Sequence, residues 1–146
     1  MHDFNKFPEL TNNNMDQHYW DSPHKQITDN FDAVVVKVTD GDTVRLRADF
    51  RDFDFPMRIL YINAPEMNEP GGREAKDHLK NLVEGEEVRI IIQPLNRVEK
   101  WGRLLGDIQL EGMRMSQEML IQGHAVEFDR RDEGKIPSLG ELIAVG

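Results

Sequence analysis

Residues 57–66, Met-Arg-Ile-Leu-Tyr-Ile-Asn-Ala-Pro-Glu, set an arginine in an apolar run and a carboxylate just past a proline. An unpaired cation in such a run is costly, so Arg58 is expected to meet an anion at the strand's polar face. Glu66 follows Pro65 and stands at the strand's mouth. Taken alone, the stretch reads as an edge strand with a solvated arginine and an ordinary Pro-Glu turn. Two other stretches keep it company. Asp40-Gly41-Asp42-Thr43 carries two carboxylates on one turn, and Glu99-Lys100-Trp101-Gly102-Arg103 supplies a second arginine. Each is weak by itself. Asp42 could merely shape its turn, and Arg103 paired with Glu99 on a surface would contribute only about 0–1 kcal/mol.

The elements that must gather these residues follow from periodicity. Val34, Val36 and Val38 share one face of a period-two run; Val44, Leu46 and Ala48 share the next, with Arg45 and Arg47 outward. The link Asp40 to Thr43 makes the pair a hairpin with a glycine turn. A third strand is expected at about Phe55 to Ile62. After the polar link Asn68 to Gly72, a helical stripe of Ala75, Leu79, Leu82 and Val83 ends at Gly85. Val88, Ile90 and Ile92 predict a fourth strand, residues 94–103 a loop, and Leu104 to Leu110 a fifth strand. Met115, Met119 and Leu120 mark a second helix stopped by Gly123. The expected fold class is mainly β with α, a five-stranded barrel of the oligonucleotide-binding type with two helices. His78 is read as solvated and His124 as a capping or packing residue, neither catalytic.

Residues 1–30 are polar, interrupted by Pro8 and Pro23, and show no sustained period. They are expected to form a flexible N-terminal tail, leaving 31–146 as the barrel domain. Tyr19 and Trp20 give the tail an aromatic patch for docking on the domain or on a protein partner. The chain has 146 residues, enough for one domain with a modest core. It contains no cysteine, which excludes a disulfide framework, a thiolate metal site and a Cys nucleophile. With no apolar leader and no run long enough to cross a bilayer, the expectation is a cytoplasmic protein without membrane contact. A formal charge of −9 argues against holding nucleic acid by bulk electrostatics. Any phosphate must be met locally, for instance through a cation.

In order and spacing, the three stretches resemble the staphylococcal (thermonuclease-like) nuclease family over roughly residues 32–126. The resemblance implies hydrolysis of phosphodiester bonds in DNA or RNA, with little sequence preference and normally with calcium as the divalent cation. Carried over by position, Asp42 is implied as a metal ligand, joined by Asn63 and the backbone carbonyl of Ala64, with Asp40 one step behind. Glu66 is implied as the general base that activates water. Arg58 and Arg103 are implied as the cations around the scissile phosphate, with Lys100 and Trp101 among the substrate-binding residues, Trp101 chiefly as packing at the barrel's rim. Phosphoryl transfer is mostly positioning and charge stabilisation, which suits hard oxygens and forked guanidiniums.

The sequence also departs from that family. Asn63 stands where a second metal carboxylate is usual, so cation binding is expected to be weakened. The link 68–72 is short and carries Glu69 rather than a lysine. Phe128 is the nearest aromatic to the family's tyrosines beside the nucleotide, and the third helix is expected only as a stub over 138–145. The alternative expectation is a catalytically weakened barrel serving as a nucleic-acid or protein interaction module. A plain single-strand-binding barrel is disfavoured by the acidic charge and few aromatics.

Overall fold

The computed structural model describes residue 4, residues 8–99 and residues 102–128. Its elements are α1 (Asn12–His18), a 3-10 turn (Tyr19–Asp21), β1 (Phe31–Asp40), β2 (Thr43–Arg47), β3 (Phe55–Ile59), β4 (Ile62–Asn63), α2 (Gly72–Val83), β5 (Glu87–Ile91), β6 (Leu104–Leu110), β7 (Met113–Arg114), α3 (Met115–Ile121) and β8 (Val126–Glu127). Five strands close a barrel. The order β3-β2-β1-β5-β6 is antiparallel throughout, and β6 returns to pair with β3 in parallel, Arg58 opposite Leu105. The five-stranded barrel read from the sequence is therefore the fold. None of the described helices is long and apolar enough to cross a membrane.

The core follows the expected alternation with one exception. Val44 and Leu46 point inward with Arg45 and Arg47 outward, and Ala75, Leu79 and Val83 bury the predicted stripe of α2. Each fully buried Leu, Ile, Val or Met contributes about 1.5–3 kcal/mol. In β1, however, the inward residues are Ala33, Val35 and Val38, while Val34 and Val36 are only half-buried. The register against β2 shifts between Val35 and Lys37, so one extra residue turns the strand's inward face over. Strict alternation cannot report such a bulge.

The third strand also stops earlier than its composition predicts. Tyr61 takes a left-handed conformation (φ 76°) that reverses the chain after β3, and Ile62–Asn63 then pairs with β8. This turn delivers Asn63 and Ala64 to the end of the β1–β2 hairpin.

Residues 8–30, expected from the sequence as a tail, place several side chains in buried positions. Glu9, Leu10, Gln26 and Ile27 are buried. Glu9 pairs with Arg51 at 2.8 Å and with Arg97 at 3.0 Å, both arginines being themselves buried. Arg97 also donates to the carbonyls of Ile27, at 2.6 Å, and Leu10. Arg51 lies over the rings of Phe50, Phe53 and Phe55. A polar segment is thus drawn in by paired charges, a form of burial that hydrophobic patterning does not register, with Arg51 Nε and Nη1 left without a hydrogen-bond partner among the described residues. The stub expected over 138–145 lies outside the described residues.

Candidate active site

Gly41 makes the site's geometry possible. A Cβ added there would lie 2.7 Å from the Cβ atoms of both Ala64 and Ala75. Only glycine lets the β1–β2 turn close onto α2 and the segment after β4. That approach sets Asp42 beside Ala64, whose N–H donates to Asp42 Oδ2 at 2.9 Å. Thr43 Oγ1 donates to Asp42 Oδ1 at 3.0 Å, and the Asp42 N–H donates to Asp40 Oδ1 at 3.1 Å. Burial, with the contact to Asp40, pushes the Asp42 carboxyl up to about 6 against the opposing pull of Arg58.

Arg58, central in β3 between β2 and β6, is buried. Its Nη2 donates to Asn63 Oδ1 and reaches Asp42 Oδ2 at 3.4 Å. The expected anion is therefore Asp42, with the amide oxygen of Asn63 as a second acceptor. The guanidinium carbon lies 4.8 Å from the centre of the Phe128 ring, and the Phe128 N–H is held by the Tyr61 carbonyl at 2.7 Å. A cleft of about 470 Å³ opens beside Arg58, lined by Leu60, Leu105, Glu99 and Phe128 and, from the N-terminal segment, by Asn13 and Asn14.

Arg103 meets the cluster through Glu99. Its Nε and Nη2 each donate to one Glu99 oxygen at 2.9 Å, and Glu99 Oε1 lies 3.8 Å from Arg58 Nε. Sequence reading had the Glu99–Arg103 spacing but not the closure of β3 on β6 that brings Arg58 to the same carboxylate. Glu99 is thus a site residue which the sequence offered only as a surface partner.

The structure gathers Asp42, Asp40, Arg58, Asn63 and Arg103 with Glu99. Ala64 joins through its N–H. Glu66 is exposed in the next turn, where its N–H donates to Glu69 Oε1 at 2.9 Å and its carbonyl accepts from the Glu69 N–H at 2.9 Å. Gly72 packs directly on the Glu66 carbonyl, which would lie 1.9 Å from an added Cβ. Among the described residues the Glu66 carboxylate makes no hydrogen bond or ion pair, so it is presented to solvent rather than joined to the cluster. Lys100 and Trp101 lie outside the described residues. His78 and His124, neither read as catalytic, lie with ring centroids 4.7 Å apart and planes tilted by 31°, and His78 Nε2 lies 3.2 Å from Glu118 Oε1.

The donors suit a hard cation in kind: Asp42 is a buried carboxylate with a like-charged neighbour, and its raised pKa is the tension a cation would relieve. They are few in number. Among the described residues no group of three or more His, Cys, Asp or Glu could hold a metal ion. Asn63 offers an amide oxygen that is directed at Arg58. Water would have to complete the shell.

Comparison with known proteins gives the family of the chain. The family model described as staphylococcal nuclease homologue matches residues 56–143. The chain is 34% identical over 79 residues to the probable staphylococcal-like nuclease CAN3 of Oryza sativa subsp. japonica, covering 54% of this chain and 20% of that protein. It is 35% identical over 82 residues to the staphylococcal-like nuclease CAN1 of Arabidopsis thaliana, covering 54% of this chain and 24% of that one. An uncharacterized endonuclease of Escherichia coli is 32% identical over 97 residues, 66% of this chain and 60% of its own length. The chain therefore spans about a quarter or less of the plant relatives. With the match extending over more than half of its residues, the chain belongs to the staphylococcal nuclease homologue family.

Proposed function

We propose that the protein is a metal-assisted nuclease that hydrolyses phosphodiester bonds of DNA or RNA with little sequence preference. The observation that carries the reading is the convergence of two guanidiniums, Arg58 and Arg103, on the Glu99 carboxylate, with Arg58 also paired to Asp42. Two forked cations at one point are what a phosphate developing charge on its equatorial oxygens requires. Glu66, exposed and with its carboxylate unpaired among the described residues, is the base: it takes a proton from water as the water oxygen attacks phosphorus and the opposite P–O bond breaks. Arg58, held by Asp42 and Asn63, and Arg103, held by Glu99, orient the phosphate. A divalent cation, calcium by family likeness, would be held by Asp42 and Asp40 and would neutralise phosphate charge when bound. The Phe128 ring beside Arg58 gives a flanking base an aromatic surface.

Digestion of plasmid and single-stranded substrates, with calcium, magnesium or manganese and with chelator, tests the reading. Cleavage is expected with cation, is lost in chelator, and falls roughly 10²–10⁴-fold in Glu66→Gln. Absence of cleavage with every cation, or an unchanged Glu66→Gln rate, would refute it. The second reading, a barrel that only binds, is favoured by Asn63 standing in place of a carboxylate; oligonucleotide binding without cleavage is its signature. In that case Trp20, 91% exposed, is the place to seek a protein partner.

A further inference from the structure

Glu99 touches both arginines of the site, and nothing in the family likeness assigns it. Its side chain is 9% exposed, against 28% for Arg103. Both its oxygens are engaged by the Nε and Nη2 edge of Arg103, each at 2.9 Å. That is the forked geometry in which a guanidinium takes two oxygens of a phosphate. The Nε of Arg103 has one hydrogen, so this edge cannot serve Glu99 and a phosphate together. The same Oε1 lies 3.8 Å from Arg58 Nε, whose other end is occupied by Asp42 and Asn63.

The fold fixes this contact from both sides. The Glu99 N–H donates to the Arg103 carbonyl at 2.9 Å, and the Gly102 N–H donates to the Glu99 carbonyl at 2.8 Å. Two residues earlier, Arg97 is tied to Ile27, Leu10 and Glu9, which anchors the loop to the N-terminal segment. The 9% exposure and the pinned backbone set Glu99 apart from a chance surface partner. Glu99 also lines the cleft beside Arg58, which leaves its side chain room to turn away.

We infer that Glu99 is a positioning residue: it holds Arg58 and Arg103 at the spacing a phosphate needs, and a bound phosphodiester displaces it from the Arg103 fork. The inference rests on the nuclease reading of the two arginines. Each partner in the exchange is a singly charged anion with two oxygens at fork spacing. Binding therefore trades one ion pair for another, and only an anion that can use both prongs competes well. Affinity is kept modest, while the arginines stay ordered before substrate arrives.

Titration of the full chain with inorganic phosphate, followed through the arginine Nε–H resonances, tests this. Glu99→Gln removes the charge with little change of shape and is expected to bind phosphate roughly tenfold more tightly than the wild type. Glu99→Asp keeps the charge and is expected to show no such gain, and Arg103→Ala in the Glu99→Gln background cancels it. With oligonucleotide substrate, KM falls in Glu99→Gln by more than kcat changes. A Glu99→Gln protein that binds phosphate no more tightly, or a gain that survives Arg103→Ala, would overturn the inference. Should Glu99→Gln not fold, the wild type still decides: the Glu99 carboxyl resonance shifts at saturating phosphate if the exchange occurs, and stays in place if it does not. A wild type that cleaves nothing sinks the nuclease reading, while the phosphate titration still rules on Glu99.

Discussion

Asp42 is a carboxylate under tension, and its tension predicts the pH behaviour of the site. Its carboxyl is pushed up to about 6 from an ordinary value of 3.8, chiefly by burial. Between those values the folded protein holds a proton that the unfolded chain has lost. The group's contribution to stability is therefore fullest below about 4 and is lost as pH rises through about 6. Cation binding has the opposite sense, because only the ionised carboxylate is a ligand. Calcium affinity is expected to increase as pH rises through about 6, with proton release at the lower end. Calorimetry at pH 5 and pH 8 in buffers of different ionisation enthalpy would reveal this; equal affinity and no proton release would contradict it. Asp42, Arg58 and Arg103 were singled out in the sequence by the resemblance of three short stretches to one family, and the structure brings them to one place. That Asn63 serves Arg58, and that Glu99 serves both arginines, depends on contacts across strands that spacing along the chain does not contain.

At the scale of elements, the hairpin, the α2 stripe and β5 were legible because their buried faces are apolar and periodic, and β6 and α3 because apolar residues dominate them, although β6 buries five residues in a row and Asp107 and Ser116 are buried among them. Three features were not. The bulge in β1 reverses a face without changing composition, and the left-handed Tyr61 ends β3 inside an apolar run. The N-terminal segment is held by polar contacts: Glu9 with Arg51 and Arg97, Gln26 Oε1 with the Leu10 N–H, and Gln26 Nε2 with the Pro8 carbonyl at 2.9 Å. Removing one partner from such a cluster leaves uncompensated buried charge. Glu9→Ala, which strands two buried arginines, is expected to cost about 3–5 kcal/mol in urea unfolding. A loss within 0.5 kcal/mol, the size of an ordinary surface substitution, would mean that the segment contributes little to the folded state. Because Arg97 also anchors the loop before Glu99, the same change is expected to disturb the site.

Across the whole molecule, the proposed function has an acidic chain of net charge −9 meet phosphate at one point. Arg58 and Arg103 are both neutralised by carboxylates until an anion takes their place. Oligonucleotide affinity should therefore depend weakly on salt. Fluorescence anisotropy between 50 and 200 mM salt is expected to give a log–log slope of roughly −1 to −2 for a single strand, as for about two phosphate contacts, and a slope steeper than about −5 would reveal a basic track. In the proposed function, two forked guanidiniums at the end of the barrel drive phosphodiester hydrolysis. The most direct measurement is the single-turnover cleavage rate of a single-stranded oligonucleotide by Arg58→Lys and Arg103→Lys, each of which keeps the charge and loses the fork. Each rate is expected to fall roughly 10²-fold or more, with the fold of the barrel intact. Cleavage by either lysine variant at the wild-type rate would contradict the account.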